Sequence, residues 1–251
     1  PKPQPSSSGK LDWATTVPES PSTGPPQDTV ASDALNHASI IDGLRLGKAN
    51  RTIVPHGTLP EPGTSGGVVE GLYSMDGDTV DLVGWRSRVQ GLVVDEAHAV
   101  GTLGPGGRGV SLAQGIEADV IVGTFGKAYG AAGAFVVAPP SFKELLISLG
   151  RSFVYTTALA EPAAHAALAG LRLATDERRQ TLQAAVMRFR AGLEDLGLQG
   201  LGEAHIVPVV LGPRTMAVAQ AMFERGVYVP GIRWPTVPRG RERLRFTLSA
   251  A

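Results

Sequence analysis

The most restrictive feature of this 251-residue chain is a set of short apolar runs, each closed by a polar residue. Val68 to Tyr73 ends at Ser74, Gly91 to Val94 ends at Asp95, and Asp119 to Gly123 ends at Thr124. Runs of this length, bounded by turn residues, read as strands buried on both faces. Such strands build a mostly parallel sheet covered by helices, and ligands of open α/β sheets bind at the carboxyl edge of the strands. Separate strands that each deliver a functional side chain at that edge exceed what packing requires.

The flanking segments divide the chain. Residues 1–27 combine many Pro and Ser with almost no aliphatic side chains, so they bury too little to offset ordering entropy, and they read as a disordered arm. Residues 28–173 carry the strand pattern of a large domain, and residues 174–251 form a smaller C-terminal α/β domain. Pro162 suits the first turn of a helix through HAALAGLRLA. Leu182, Val186, Phe189, Leu193 and Leu196 recur at helical spacing and predict one apolar stripe. Beyond them the pattern predicts strands at His205–Leu211, Val227–Val229 and Leu244–Leu248, with a helix over Thr215–Arg225.

Composition removes several functions. Lys plus Arg and Asp plus Glu both number 23, which leaves no net field or basic run to hold a nucleic acid. Cysteine is absent, so disulfides, thiolate metal sites and thiol nucleophiles are absent with it; a cytoplasmic location is consistent with this. No apolar run approaches the length of a membrane span. VVDEAHAV, Val93 to Val100, resembles the acidic strand end of a helicase-type ATPase, but that chemistry needs a Gly-rich P-loop closed by Lys and Ser or Thr. SSSGKL, GLRLGKA and GTFGKA all fail that pattern.

The same stretch fits another chemistry. Asp95 and His98 are followed by Lys127 in GTFGKAYGAAGAF, where Gly126 and Gly130 leave space around the amine. An amine, a carboxylate and an imidazole, each just past a strand, are the parts of a pyridoxal 5′-phosphate (PLP) site. Lys forms a Schiff base with the cofactor, and Asp keeps a proton on the ring nitrogen. Taken alone, Lys127 would read as a surface lysine in a hairpin; its place between a strand end and an apolar hairpin argues for the site.

DALNHASIIDGLRL, YSMDGD, VVDEAHAVGTLGPGGRG, GTFGKAYGAAGAF, RSFVYTTAL and GIRWPTVPRGRERLRFTLSAA stand in one order along the chain. Together they resemble the blocks of the α-oxoamine synthases. The resemblance implies an α/β chain of PLP-dependent transferase fold type I, aspartate aminotransferase-like, with a large domain around a central mostly parallel sheet and a smaller C-terminal α/β domain. It also implies site roles. Lys127 would hold the cofactor and act as acid and base, Asp95 would pair with the ring nitrogen, and His98 would bond the phenolic oxygen. His37 would stack on the ring, Ser74 and Thr124 would bond polar groups of the cofactor, and Arg245 or its neighbour Arg243 would bind the amino acid carboxylate. Thr156 or Thr157 would reach a partner subunit, since the family is homodimeric. His56, His165 and His205 carry no assigned chemistry and are expected in packing or solvent.

The implied reaction joins an amino acid to an acyl-CoA with loss of carbon dioxide. The tail resembles the biotin-synthesis branch, which implies L-alanine and pimeloyl-CoA as substrates. Two alternatives stay open: another α-oxoamine synthase with a different substrate pair, and an inactive PLP-fold remnant. Against the family pattern the chain is expected to be incomplete at both ends, and Asp78–Val93 is expected to be too short for a full crossover helix plus its strand.

Overall fold

The computed structural model describes residues 28–250; the Pro/Ser-rich arm lies outside the described residues. Six strands form the larger sheet: β1 (Thr29–Asp33), β2 (Asn50–Val54), β3 (Thr64–Glu70), β4 (Val89–Asp95), β5 (Val120–Thr124) and β6 (Ala134–Val137). Their order is β2-β1-β3-β4-β5-β6. All neighbours run parallel except β5 and β6, which form an antiparallel hairpin. Helix α1 (Ala38–Leu46) carries the chain from β1 back to β2. The return from β2 to β3 uses irregular chain over residues 55–63, with no helix.

Helix α2 (Leu82–Arg88) makes the crossover from β3 to β4 in seven residues, so the expectation that this stretch was too short is corrected. A close approach permits the economy. Trp85 of α2 is fully buried against Gly67 of β3, where an added Cβ would lie 3.1 Å from the indole ring. The Asp81 carboxylate accepts the Gly84 N–H and caps the helix. Trp85 packs with Tyr73, Leu72, Leu82, Leu92 and Val94 in a core that also takes in Ile206 of the C-terminal part.

The next elements are α3 (Val110–Ala113), between β4 and β5, and α4 (Pro140–Leu149), α5 (Arg151–Val154) and α6 (Glu161–Leu173) after the hairpin. Pro162 stands in the first turn of α6 as expected. Helix α7 (Asp176–Asp195) buries Leu182, Val186 and Leu193. Leu196 departs from the expected stripe: it caps the helix and is exposed, because the chain turns away at Gly197.

A second, antiparallel sheet follows, in the order β7-β9-β8: β7 (Ile206–Val210), β8 (Gly231–Ile232) and β9 (Arg243–Thr247). Helix α8 (Thr215–Glu224) lies between β7 and β8. Phe189 of α7 packs on Phe246 of β9 with ring centres 4.8 Å apart. The strand expected at Val227–Val229 is not formed; pairing begins two residues later at Gly231, and Tyr228 is exposed. The expected run Val68–Tyr73 is likewise shifted. β3 begins at Thr64 and closes at Glu70: Gly66 and Gly67 hide its first half from a hydrophobicity reading, and Gly67 is where Trp85 needs room.

Candidate active site

The parallel strands β1, β2, β3, β4 and β5 end at Asp33, Val54, Glu70, Asp95 and Thr124, all on one edge of the sheet. The segments just past those ends carry His37, His56, Ser74, His98 and Lys127. The fold therefore gathers residues that are up to 90 positions apart in sequence (His37 to Lys127) at the edge where α/β sheets bind ligands.

The four residues of D-E-A-H divide between support and site. Asp95 accepts the Ala97 N–H at 2.8 Å through Oδ1, which holds the turn, and no partner for Oδ2 occurs among the described residues. Glu96 is fully buried and points the other way. Its carboxylate accepts the Val110 and Ser111 N–H groups at 3.0 and 2.7 Å and the Ser111 hydroxyl at 2.6 Å. It thereby pins the Gly-rich loop 101–109 under α3, a structural task that a buried carboxylate can fill only when its oxygens are satisfied. His98 faces a cavity. Burial, then the charges of Lys127 and Arg245, push it down to about 3, so its imidazole is neutral at pH 7.

Lys127 lies in the loop of the β5–β6 hairpin, and Thr124 shapes that loop. The Thr124 hydroxyl donates to the Gly133 carbonyl at 3.1 Å and accepts the Gly126 N–H at 3.0 Å. The loop packs over the D-E-A-H turn at Gly101, whose φ is +83° and whose added Cβ would lie 2.7 Å from the Cβ of Ala128. Only glycine fits a left-handed conformation at such a separation. Burial lowers the Lys127 amine from its usual value, with Asp95 and Glu70 acting in the opposite sense.

The two arginines of β9 separate cleanly. Arg243 is buried and spent: its guanidinium bonds the Asp76 carboxylate and Met75 carbonyl from one nitrogen and the Arg241 carbonyl from another. Arg245 donates to the Ser74 carbonyl at 2.5 Å and the Thr247 hydroxyl at 3.1 Å, and it lines the cavity. The loop after β3 thus ties the two sheets together at the site. His37 caps α1, its Nδ1 against the Ser39 hydroxyl at 2.9 Å and accepting the Ser39 N–H. Thr156 and Thr157 are exposed past α5, and the Thr156 hydroxyl donates to the Ser152 carbonyl.

The cavity encloses about 630 Å³ and is lined by His98, Lys127, Tyr129, Arg179, His205 and Arg245 among others. His205 was expected in packing or solvent; the structure buries it in this wall, where burial and Arg245 hold it down to about 4. Its only sequence signal is its place at the start of a strand. His56, given the same expectation, instead bridges two carboxylates at the sheet edge: its Nδ1 lies 3.0 and 3.1 Å from the two oxygens of Asp33, and its Nε2 2.7 Å from Asp78. His165 is exposed on α6, 3.5 Å from Glu161.

A lysine, a carboxylate and a neutral histidine thus stand together at the carboxyl edge of an α/β sheet. The chain belongs to the family of class I and II aminotransferases, whose model matches residues 22–251. It is similar to 8-amino-7-oxononanoate synthase of Anaeromyxobacter dehalogenans, 45% identical over 246 residues that cover 89% of this chain and 62% of that protein. Among solved structures it is similar to serine palmitoyltransferase of Sphingomonas wittichii, with a TM-score of 0.81, 33% identity, and 89% and 62% of the two chains covered. A serine palmitoyltransferase from S. paucimobilis with a bound PLP–myriocin aldimine is similar to the same extent, with a TM-score of 0.80, 32% identity, and 89% and 62% covered. The chain spans less than two thirds of the length of these relatives. No described helix is long and apolar enough to cross a membrane.

Proposed function

We propose that the chain carries the PLP site of an α-oxoamine synthase, and that the whole protein condenses L-alanine with pimeloyl-CoA to give 8-amino-7-oxononanoate, CoA and carbon dioxide. The observation that carries this reading is the convergence of Lys127, His98 and Arg245 on one cavity, with Asp95 at the adjoining strand end. The residues present fit the cofactor's ring. Asp95 Oδ2 has no partner among the described residues and suits a pyridinium N–H, and a neutral His98 can donate to a phenolic oxygen. PLP, when bound, supplies an aldehyde that captures amines and a ring that takes up electron density from the bond broken beside the nitrogen.

Lys127 would hold the cofactor through its amine and, when that amine is free, would move the proton at the amino acid α-carbon. Burial favours that second task, since it keeps the amine below its usual value and closer to the working pH. His37 forms a wall of the ring site, and its Nε2 has no partner among the described residues. Arg245, not Arg243, binds the substrate carboxylate, because the Arg243 guanidinium is already engaged by Asp76, Met75 and Arg241. Ser74 stands beside Arg245 and offers its hydroxyl to the cofactor. Thr124 donates to a phosphate only by giving up its bond to the Gly133 carbonyl, so it acts first as the shaper of the Lys127 loop.

Alanine and pimeloyl-CoA are preferred over serine and palmitoyl-CoA on the 45% identity to the oxononanoate synthase of A. dehalogenans. A second copy of the chain is the proposed partner. Phe153, Tyr155, Leu159 and Leu171 leave large apolar area exposed on the segment from α5 to α6, more than scattered surface residues account for. The test is proton exchange. With PLP in deuterium oxide, the α-proton signal of L-alanine should fade in proton NMR, Lys127→Ala should abolish the loss, and added pimeloyl-CoA should yield the amino ketone by mass spectrometry. Faster exchange of L-serine, with palmitoyl-CoA as the better acyl donor, would replace this substrate pair by that of the second relative.

A further inference from the structure

Glu70 takes no part in the roles above, yet it stands in the middle of them. It is the last residue of β3, is 4% exposed, and lies directly opposite Asp95 on β4. Paired residues on neighbouring strands project to the same face with backbones about 4.8 Å apart. Two carboxylates therefore share one patch of the sheet edge, one of them buried. A buried carboxylate is retained only where its oxygens are used. Here Oε1 accepts the backbone N–H of His37 at 2.5 Å, across 33 positions of sequence.

That contact has a directional consequence. His37 precedes the first turn of the nine-residue helix α1, where backbone N–H groups lack intrahelical acceptors. Glu70 satisfies one of them and fixes where α1 begins relative to β3. Ser39 fixes the ring of the same residue through Nδ1. Backbone and ring of His37 are thus held by separate partners, which leaves its Nε2 and the free ring face in a single orientation at the sheet edge.

We infer that Glu70 is a positioning residue of the Lys127 site: by clamping the His37 N–H from the position paired with Asp95, it holds the imidazole wall in register with the strand end that carries Asp95. The inference rests on the proposed reading for the purpose of that wall, and on geometry alone for the clamp. Several charges act on the clamp. Asp95 on β4 and Asp33 on β1 disfavour a second negative charge, and Lys127 on the hairpin favours it. The phenol of Tyr73, three residues along the same turn, feels the Glu70 charge, and the exposed ring of His37 lies at the bonded residue. Burial, followed by Asp95, pushes Glu70 up to about 7, so the clamp exchanges its proton within the working pH range. Protonation weakens an acceptor, and the N–H bond to His37 should loosen as pH falls through that value.

The test uses the full chain labelled with nitrogen-15, as wild type, Glu70→Gln and Glu70→Ala, with two readouts. The first needs no cofactor. The His37 amide proton shift should carry a step near pH 7 in the wild type that is missing from Glu70→Gln, any contribution of the His37 ring itself being common to both. The Gln side chain keeps a carbonyl acceptor and nearly the same shape, so that variant retains a folded clamp. In Glu70→Ala the exchange rate of the His37 amide should rise at least tenfold. The second readout is PLP affinity. Glu70→Ala should raise the Kd at least tenfold, while Glu70→Gln should stay within about threefold of wild type at pH 6. An unchanged His37 amide in Glu70→Ala overturns the clamp. A changed amide with unchanged PLP affinity overturns the positioning role and leaves a helix cap. A wild type that takes up no PLP sinks the reading of the site, and this inference with it, and is told apart from the other two by the wild-type titration alone.

Discussion

His56→Gln should expose how much the sheet edge depends on a buried charge. His56 bridges Asp33, whose side chain is fully buried, and Asp78, whose side chain is 34% exposed. With the imidazole removed, the Leu35 N–H at 2.8 Å is the one remaining donor to Asp33 among the described residues. Breaking a buried ion pair by deleting one partner costs about 3–5 kcal/mol, because an uncompensated charge stays behind. The pH dependence is more diagnostic. The hydrogen bonds that its ring donates to Asp33 and then to Asp78 raise His56 from 6.5 to about 10. A group raised in the folded state contributes fully below its unfolded value and loses that contribution as pH rises through the folded value. The window is therefore pH 6.5 to 10, in which wild-type stability should fall by about 2–4 kcal/mol, the upper figure reduced by solvent screening on the Asp78 side. Urea denaturation at pH 6, 8 and 9.5 should show the gap between wild type and His56→Gln closing as pH rises. A gap below about 0.5 kcal/mol at pH 6, or one that is constant across the window, would refute the bridge.

Two further outcomes follow from packing and from the β9 arginines. Gly67→Ala places a Cβ 3.1 Å from Trp85 and Val89, and should cost about 1–3 kcal/mol by overpacking; a wild-type urea midpoint would contradict the close approach. Arg243→Leu should cost about 3 kcal/mol by stranding Asp76, whereas Arg245→Leu should cost no more than about 1.5 kcal/mol and should weaken L-alanine binding in a titration of the PLP-loaded chain. Equal stability loss in both variants would contradict the separate roles of the two arginines.

The sequence showed the ends of strands better than their beginnings. β4 and β5 end where the apolar runs predict, at Asp95 and Thr124, because a polar residue closes each run. β3 was misplaced because Gly66 and Gly67 carry no hydrophobic signal; the value of Gly67 lies in the room it leaves for Trp85, a tertiary fact. The same packing hid α2, since a two-turn helix suffices when it lies this close to the sheet. The gathering of Lys127, His98 and Arg245 at one cavity was legible from motifs. The division between Arg243 and Arg245 was not, because alternate residues of a short strand look alike until their partners are placed. His56, His205 and Glu70 were passed over for a common reason: each acts through groups distant in sequence, and nothing adjacent to it marks the role.

Lys127 is the proposed covalent anchor of PLP. Titrating the chain with PLP, reducing it with borohydride and mapping the labelled peptide tests that role without any assumption about substrates. The expected result is a saturable visible absorbance band, one reduced adduct on Lys127, and neither in Lys127→Ala. Adducts spread over several lysines, or the same adduct level in Lys127→Ala, would contradict it.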